Sequence, residues 1–303
     1  ASIDRTAFGV WPDCYRLSNG TVDVVISPTT GRIVRYGYLG GANQLWQNPA
    51  VNVTTTEGWQ NYGGDKAWVW PQDAWPQLFG HAWPPPTAVD GSPQTAEVVD
   101  RSTLRLTSPE FGQAKLRIVR EIHLADDGTA VTLDTQLLAG AGSSVPLAPW
   151  TVTQITPPDA LLAHVAGGEP VEKAWSLLQP ASWPAIEPVG GEFVLLQPPP
   201  DKQAKIGLDA DLLAARHADV LFVMRAMIPP DSAPFPHGDQ AQVFSQPPML
   251  FRKPTVPYYE LEFASPREAI QAGQSLHLIT VWSLTHVPSD ASTASIVEAI
   301  KTD

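Results

Sequence analysis

Ala114-Lys-Leu-Arg-Ile-Val-Arg-Glu-Ile-His-Leu124 alternates with a period of two. Leu116, Ile118, Ile122 and Leu124 share one face, while Lys115, Arg117, Glu121 and His123 share the other. That is the pattern of a strand with one wet side. Asp126-Asp127-Gly128 supplies a turn, and Ala130 to Leu138 resumes the alternation with Val131, Leu133 and Leu137 inward. The unit is an antiparallel hairpin. The rest of the chain repeats the theme. Asn19-Gly20 is a hairpin-type turn, followed by Thr21–Ser27 with Val22, Val24 and Ile26 on one face. Arg32–Tyr38 alternates again until Gly40-Gly41 stops it. Further strands are predicted at Glu97–Asp100, Thr103–Thr107, Trp150–Ile155, Phe193–Gln197, Lys205–Leu208, Val220–Met227, Tyr258–Phe263 and Leu276–Leu284.

Thirty-one prolines disfavour long helices, because Pro breaks a helix interior. Two short helices are predicted: Asp209–His217, and Asp290–Lys301 with Ser295 and Glu298 at capping-box spacing. The Pro-rich pieces Trp83–Pro86, Gln197–Pro200 and Ile228–Pro236 read as loops, and no internal repeat occurs. The expected fold class is all-β, with residues 1–303 forming a single antiparallel β-sandwich domain.

The net charge is −12, from 19 Lys+Arg against 31 Asp+Glu. Nucleic acid and anionic membrane surfaces call for clustered positive charge, so neither is an expected partner. No apolar run approaches the roughly 18 residues of a membrane span. The single cysteine, Cys14, excludes an intrachain disulfide and a Cys-based metal site. It reads as a small, partly buried thiol and not as a nucleophile. The start at Ala1-Ser2 and the acidic, Trp- and Pro-rich composition fit an exported protein, periplasmic or secreted.

Function is most visible in Asn61-Tyr-Gly-Gly-Asp-Lys-Ala-Trp-Val-Trp-Pro-Gln-Asp-Ala-Trp-Pro76. A solvated loop does not normally expose three tryptophans, and a core strand does not normally carry Asp65, Lys66, Gln72 and Asp73. Trp70 and Trp75 beside those polar groups suit a polar, flat-faced ligand such as a sugar ring. The competing reading is a Trp-rich loop that closes a core, with its charges at the rim. Gly63-Gly64-Asp65-Lys66-Ala67 lacks the upstream Gly and the Ser/Thr of a phosphate-binding loop. No zinc, EF-hand or nucleophile-elbow motif occurs, and no metal or cofactor is expected. His81 and His237 lie in Pro/Gly-rich loops beside aromatic residues, where a plain loop histidine is the better reading and a site residue the alternative.

Four pieces together resemble a known family. They are Tyr15-Arg-Leu-Ser-Asn-Gly-Thr-Val-Asp with Gly31-Arg-Ile and Leu39-Gly-Gly-Ala-Asn; Gly63-Gly-Asp-Lys with Trp70-Pro-Gln and Trp75-Pro; Arg120-Glu-Ile-His-Leu with Val145-Pro-Leu-Ala-Pro-Trp-Thr-Val-Thr-Gln; and Tyr259-Glu-Leu-Glu-Phe with Gly273-Gln-Ser and Trp282. In this order they resemble the galactose-mutarotase-like (aldose 1-epimerase) superfamily, in an uncharacterised bacterial branch. The resemblance implies a β-supersandwich of large antiparallel sheets with one concave face open to carbohydrate.

It also implies a chemistry. Mutarotation removes a proton from the anomeric hydroxyl and protonates the ring oxygen, which takes a base and an acid on opposite sides of the substrate, each with a pKa near the working pH. A glutamate on a C-terminal strand resembles the base. Here that strand places Tyr258, Glu260 and Glu262 on one face, and either glutamate matches. Where the family carries its acidic His, this chain reads Pro149-Trp150-Thr151-Val152-Thr153-Gln154. Trp150 at that place cannot donate the proton. His81, His237 or a burial-shifted Lys66 remain as acids. Trp150 suits stacking on a pyranose and equally the core of a sandwich, and Gln154, on the same face, suits hydroxyl bonding. Arg252, with Lys253, precedes the glutamate strand; such a pair is more often a solvated turn, and the alternative is a place at the site entrance, where it would favour an anionic sugar.

Three functions remain open: a carbohydrate-binding protein, an aldose 1-epimerase-like enzyme with a non-standard acid, and a structural or protein-binding sandwich.

Overall fold

A computed structural model describes residues 1–51, 53, 59–165, 171–178, 183, 185–248 and 256–302. Two large antiparallel sheets carry the chain. The first runs in the order Ser2–Phe8, Trp11–Ser18, Val22–Ser27, Arg32–Tyr38, Asp65–Trp70, Ser143–Ile155, Tyr258–Ala264, Ala241–Gln246, Ala204–Leu208, Trp175–Leu177, with Glu268–Ile270 beside Ser143–Ile155. The second runs Ala185–Val189, Phe193–Gln197, Ala160–Val165, Ala210–His217, Val220–Met227, Ser275–His286, Val131–Ala139, Leu116–Leu124, Thr103–Thr107, Thr95–Val98. Two short α-helices, Trp75–Phe79 and Thr293–Thr302, occur among the described residues, none long and apolar enough to cross a membrane.

The hairpin that decides the fold forms as its alternation requires: Leu116–Leu124 pairs with Val131–Ala139 from Leu116↔Ala139 to Leu124↔Val131. Inward residues of both sheets make the main core, in which Val24, Ile26 and Leu261 of one sheet meet Ile122, Leu133 and Phe222 of the other. One inward position is charged. Arg120, between Ile118 and Ile122 on the apolar face, is buried and reaches across the core to Asp65 of the first sheet.

The expected helix at Asp209–His217 is instead the strand Ala210–His217. Its Leu-Leu-Ala-Ala run is apolar on both faces because both are covered. Leu213 and Ala215 pack in the main core, while Leu212 and Ala214 lie under Ile296, Val297 and Ile300 of the C-terminal helix. Tertiary burial overrides the local preference of such a run. The C-terminal helix starts later than expected, with Ser292 accepting from the Ser295 amide at 3.2 Å, so the cap lies three residues before the expected one. Cys14 is wholly buried, and burial pushes its thiol pKa up to about 11, which keeps it unreactive.

Candidate functional site

Gly63 and Gly64 decide how the chain enters the site. Both take positive φ, +87° and +72°, and a Cβ on either would collide with the backbone carbonyl of Trp46 or Ile33. Only glycine permits this approach. It delivers a strand, Asp65–Trp70, whose neighbours alternate in direction: Asp65, Ala67 and Val69 turn toward the second sheet, and Lys66, Trp68 and Trp70 turn away from it. Asp65 and Lys66 therefore do not pair with each other, since adjacent strand residues point to opposite faces. Asp65 pairs with Arg120 and accepts from Thr153 Oγ1 at 2.8 Å in the core, while Lys66 pairs with Glu260.

Register brings the outward residues together. Val152 lies opposite both Lys66 and Glu262, and Gln154 opposite Glu260. Glu260 faces Phe244 on the next strand, and Phe244 faces Lys205 on the one after. A cavity of about 590 Å³ opens over these strands, within the range of small-ligand sites. Its floor carries Lys66, Gln154, Glu260 and Trp150; Gln203, Lys205, Phe244 and Gln246 form one side. Trp59, Trp68 and Trp83 cluster at another part of the wall, and Asn61, Gln72 and Tyr258 complete the lining.

At the centre, Gln154 Nε2 donates to Glu260 Oε1 at 2.7 Å and Lys66 Nζ approaches the same oxygen at 3.4 Å. Both contacts fall on Oε1, so Oε2 takes no hydrogen bond among the described residues. Lys66 also stands 4.7 Å from the Trp68 ring centroid. Burial lowers its pKa to about 8; Glu260 opposes that shift and the Arg32 charge adds to it. Glu262 is placed differently. It is fully buried beneath Trp150, accepting from Trp150 Nε1 at 2.9 Å and Lys205 Nζ at 2.8 Å. Burial pushes its carboxyl up to about 7 against the pull of Lys205. The two glutamates left open by the sequence thus differ in access, and Glu260 is the one facing the cavity.

Glu262 has a measurable consequence. Between its ordinary value of 4.5 and about 7 the folded chain keeps a proton that the unfolded chain has lost. This contribution is fully present below pH 4.5 and lost as pH rises through 7. Denaturant midpoints at pH 4.5, 5.5 and 7 should fall more steeply for the native chain than for Glu262→Gln; parallel curves would exclude a raised carboxyl.

The remaining expected site residues are dispersed. Trp70 leans edge-on against Trp150 with centroids 5.1 Å apart and donates from Nε1 to Asp239. Trp75 is wholly buried and donates to the Val69 carbonyl. Trp150 is itself almost fully buried, with Lys205 Nζ 4.8 Å from its ring centroid, so an ammonium stands over the face expected to stack on sugar. Asp73 lines a separate shallow groove with Arg267 and four prolines. His81 is exposed outside the cavity lining. His237 is exposed and bound to Asp209, which raises its pKa. Arg252 and Lys253 lie outside the described residues.

Unforeseen in the sequence are Trp59, Trp83, Gln203, Lys205 and Gln246, and behind them Asp90. This buried carboxylate pairs with Arg32 and accepts from Trp59 Nε1 at 3.0 Å and Trp68 Nε1 at 3.1 Å. One oxygen thus fixes two walls of the cavity. Lys205 could have been found by period, since it lies two positions from Gly207 on a strand already recognised; Asp90 had no local signal.

The fold is that of galactose mutarotase-like proteins. A candidate aldose 1-epimerase of Escherichia coli K12 superposes with a TM-score of 0.59 at 14% identity, covering 90% of this chain and 99% of that one. A galactose mutarotase-like protein of Lactobacillus casei gives 0.57 at 10% identity, covering 90% and 100%. A TPR-domain-containing protein of Parabacteroides distasonis gives 0.58 at 14%, over 91% of this chain and 47% of that one. No protein-family model and no curated protein matches the sequence. At such identities the likeness is one of fold, and function rests on the cavity itself.

Proposed function

We propose that the chain binds a carbohydrate in this cavity. The supporting observation is the lining: an ion pair and Gln154 on the floor, side-chain amides around them, and aromatic rings on the walls. Amides and a carboxylate match hydroxyls as paired donors and acceptors, while indole faces match the apolar face of a pyranose. Titration with D-glucose, D-galactose, D-mannose and D-xylose, followed by calorimetry and tryptophan fluorescence, tests this. A saturable response to at least one sugar is expected. A flat response across sugars of all these configurations, alone and in glycosidic linkage, would leave a structural or protein-binding sandwich.

A second reading is favoured by the Lys66–Glu260 pair. A carboxylate that can take a proton from the anomeric hydroxyl and an ammonium that can give one to the ring oxygen both stand on the cavity floor, on one side of the ligand instead of the opposite sides of the family chemistry. Under this reading the chain is an aldose 1-epimerase-like enzyme with Glu260 as base and Lys66 as acid, in a site where Trp150 stands at the place of the family's histidine.

A further inference from the structure

The cavity is long. Its lining crosses five neighbouring strands, from Asp65–Trp70 through Ser143–Ile155, Tyr258–Ala264 and Ala241–Gln246 to Ala204–Leu208. Four interstrand steps of about 4.8 Å make that span roughly 19 Å, several times the width of one six-membered ring. Beyond Trp68 the wall continues to Trp59 and Trp83.

Trp83 is unusual there. It is 48% exposed, the one aromatic among the strongly exposed large apolar side chains of the described residues. It is also held rigidly. Its ring lies nearly parallel to that of Trp75, at 10° with centroids 6.2 Å apart, and Trp75 is fully buried and hydrogen-bonded. Trp59 meets it edge-on at 4.8 Å, and Trp59 is tied to Asp90. Trp83 is set apart from the other exposed apolar side chains by lining the cavity and by meeting two further indoles, Trp59 and Trp68, edge-on. A ligand gains from a platform packed in this way, because less side-chain freedom is left to be lost on binding.

We infer that Trp83 is the platform of a second sugar subsite, so that the ligand is an oligosaccharide with one ring over Lys66 and Glu260 and the next ring stacked at Trp83. This rests on the carbohydrate reading above. The lining also carries the uncharged amides of Asn61 and Gln72, which suits a ligand with neutral rings.

The test is calorimetry with D-glucose and D-galactose against maltose, cellobiose and lactose, on the native chain, Trp83→Ala and Trp83→Phe, with thermal melting to confirm folding. At least one disaccharide is expected to bind ten or more times tighter than its monosaccharide. Trp83→Ala should bring that ratio near one, and Trp83→Phe should keep most of it. A monosaccharide bound as tightly as its disaccharides, or a ratio unchanged in Trp83→Ala, overturns the second subsite and leaves the carbohydrate reading standing. No binding of sugars of either size overturns both.

Discussion

Arg120→Met is expected to lower stability by about 3–5 kcal/mol, the usual cost of stranding one partner of a buried ion pair. Arg120 and Asp65 are both withdrawn from water, one from each sheet, and Thr153 is the other side chain bonded to the Asp65 carboxylate. Removing the guanidinium leaves a carboxylate in the core with a single hydroxyl donor. At roughly 2 °C per kcal/mol for a chain of this size, the melting temperature should fall by roughly 6–10 °C. The double variant Arg120→Met with Asp65→Leu should recover most of the loss, because replacing both charges by apolar groups removes the desolvation cost of each. Circular dichroism melts of the two single variants and the double variant give the coupling directly. A loss below about 1 kcal/mol in Arg120→Met would show that Asp65 does not depend on its partner. The pair also bears on the site. Asp65 anchors from within the strand whose next residue, Lys66, enters the cavity, so ligand affinity should fall along with stability.

The fold was largely legible in the sequence because a half-buried strand writes its two faces into alternate residues. Leu116–Leu124 and Val131–Ala139 formed where alternation placed them, and so did Val22–Ser27 and Arg32–Tyr38. Alternation failed where both faces are covered. Ala210–His217 lies between the core and the C-terminal helix, and a run that is apolar throughout carries no period to distinguish strand from helix. The same arithmetic, followed strictly, assigns Arg120 to the inward face, where a charge demands a partner. The identity of that partner, 55 residues away, was beyond any local pattern.

The site was legible in part for a related reason. Lys66, Gln72, Trp150, Gln154 and Glu260 line one cavity, and all come from stretches in which polar and aromatic residues crowd together. The argument that a loop rarely exposes tryptophan drew attention to residues 61–76, yet it applies with greater force to Trp83 in its run of prolines. Gln203, Lys205 and Gln246 reach the cavity because non-consecutive strands pair, and no sequence window contains that fact. For two tryptophans burial favours the core reading over direct contact with a ligand. Trp75 is dense core, and Trp150 serves as a floor held by Glu262 and covered by Lys205.

Glu260→Gln is expected to weaken sugar binding about 10- to 150-fold, the equivalent of the roughly 1.5–3 kcal/mol carried by hydrogen bonds to a charged group. If the chain also accelerates mutarotation, the same variant should lower that rate by about 10²–10⁴, the range for a positioned proton-transfer group. Polarimetry of freshly dissolved α-D-glucose and α-D-galactose, with disaccharides that have a free reducing end, reads the second effect, and calorimetry reads the first. The pH profile assigns the acid. Lys66 donates only when protonated, so on the alkaline side acceleration should decline as pH rises through about 8. Lys66→Arg, which holds its proton throughout this range, should remove that decline even if the rate itself is reduced. A decline that persists in Lys66→Arg would take the acid role from Lys66. Binding that weakens in Glu260→Gln without any native acceleration would identify the pair as recognition chemistry, a carboxylate beside an ammonium that accepts from sugar hydroxyls. The two readings therefore share one residue pair and one structure, and they separate on whether the proton moves.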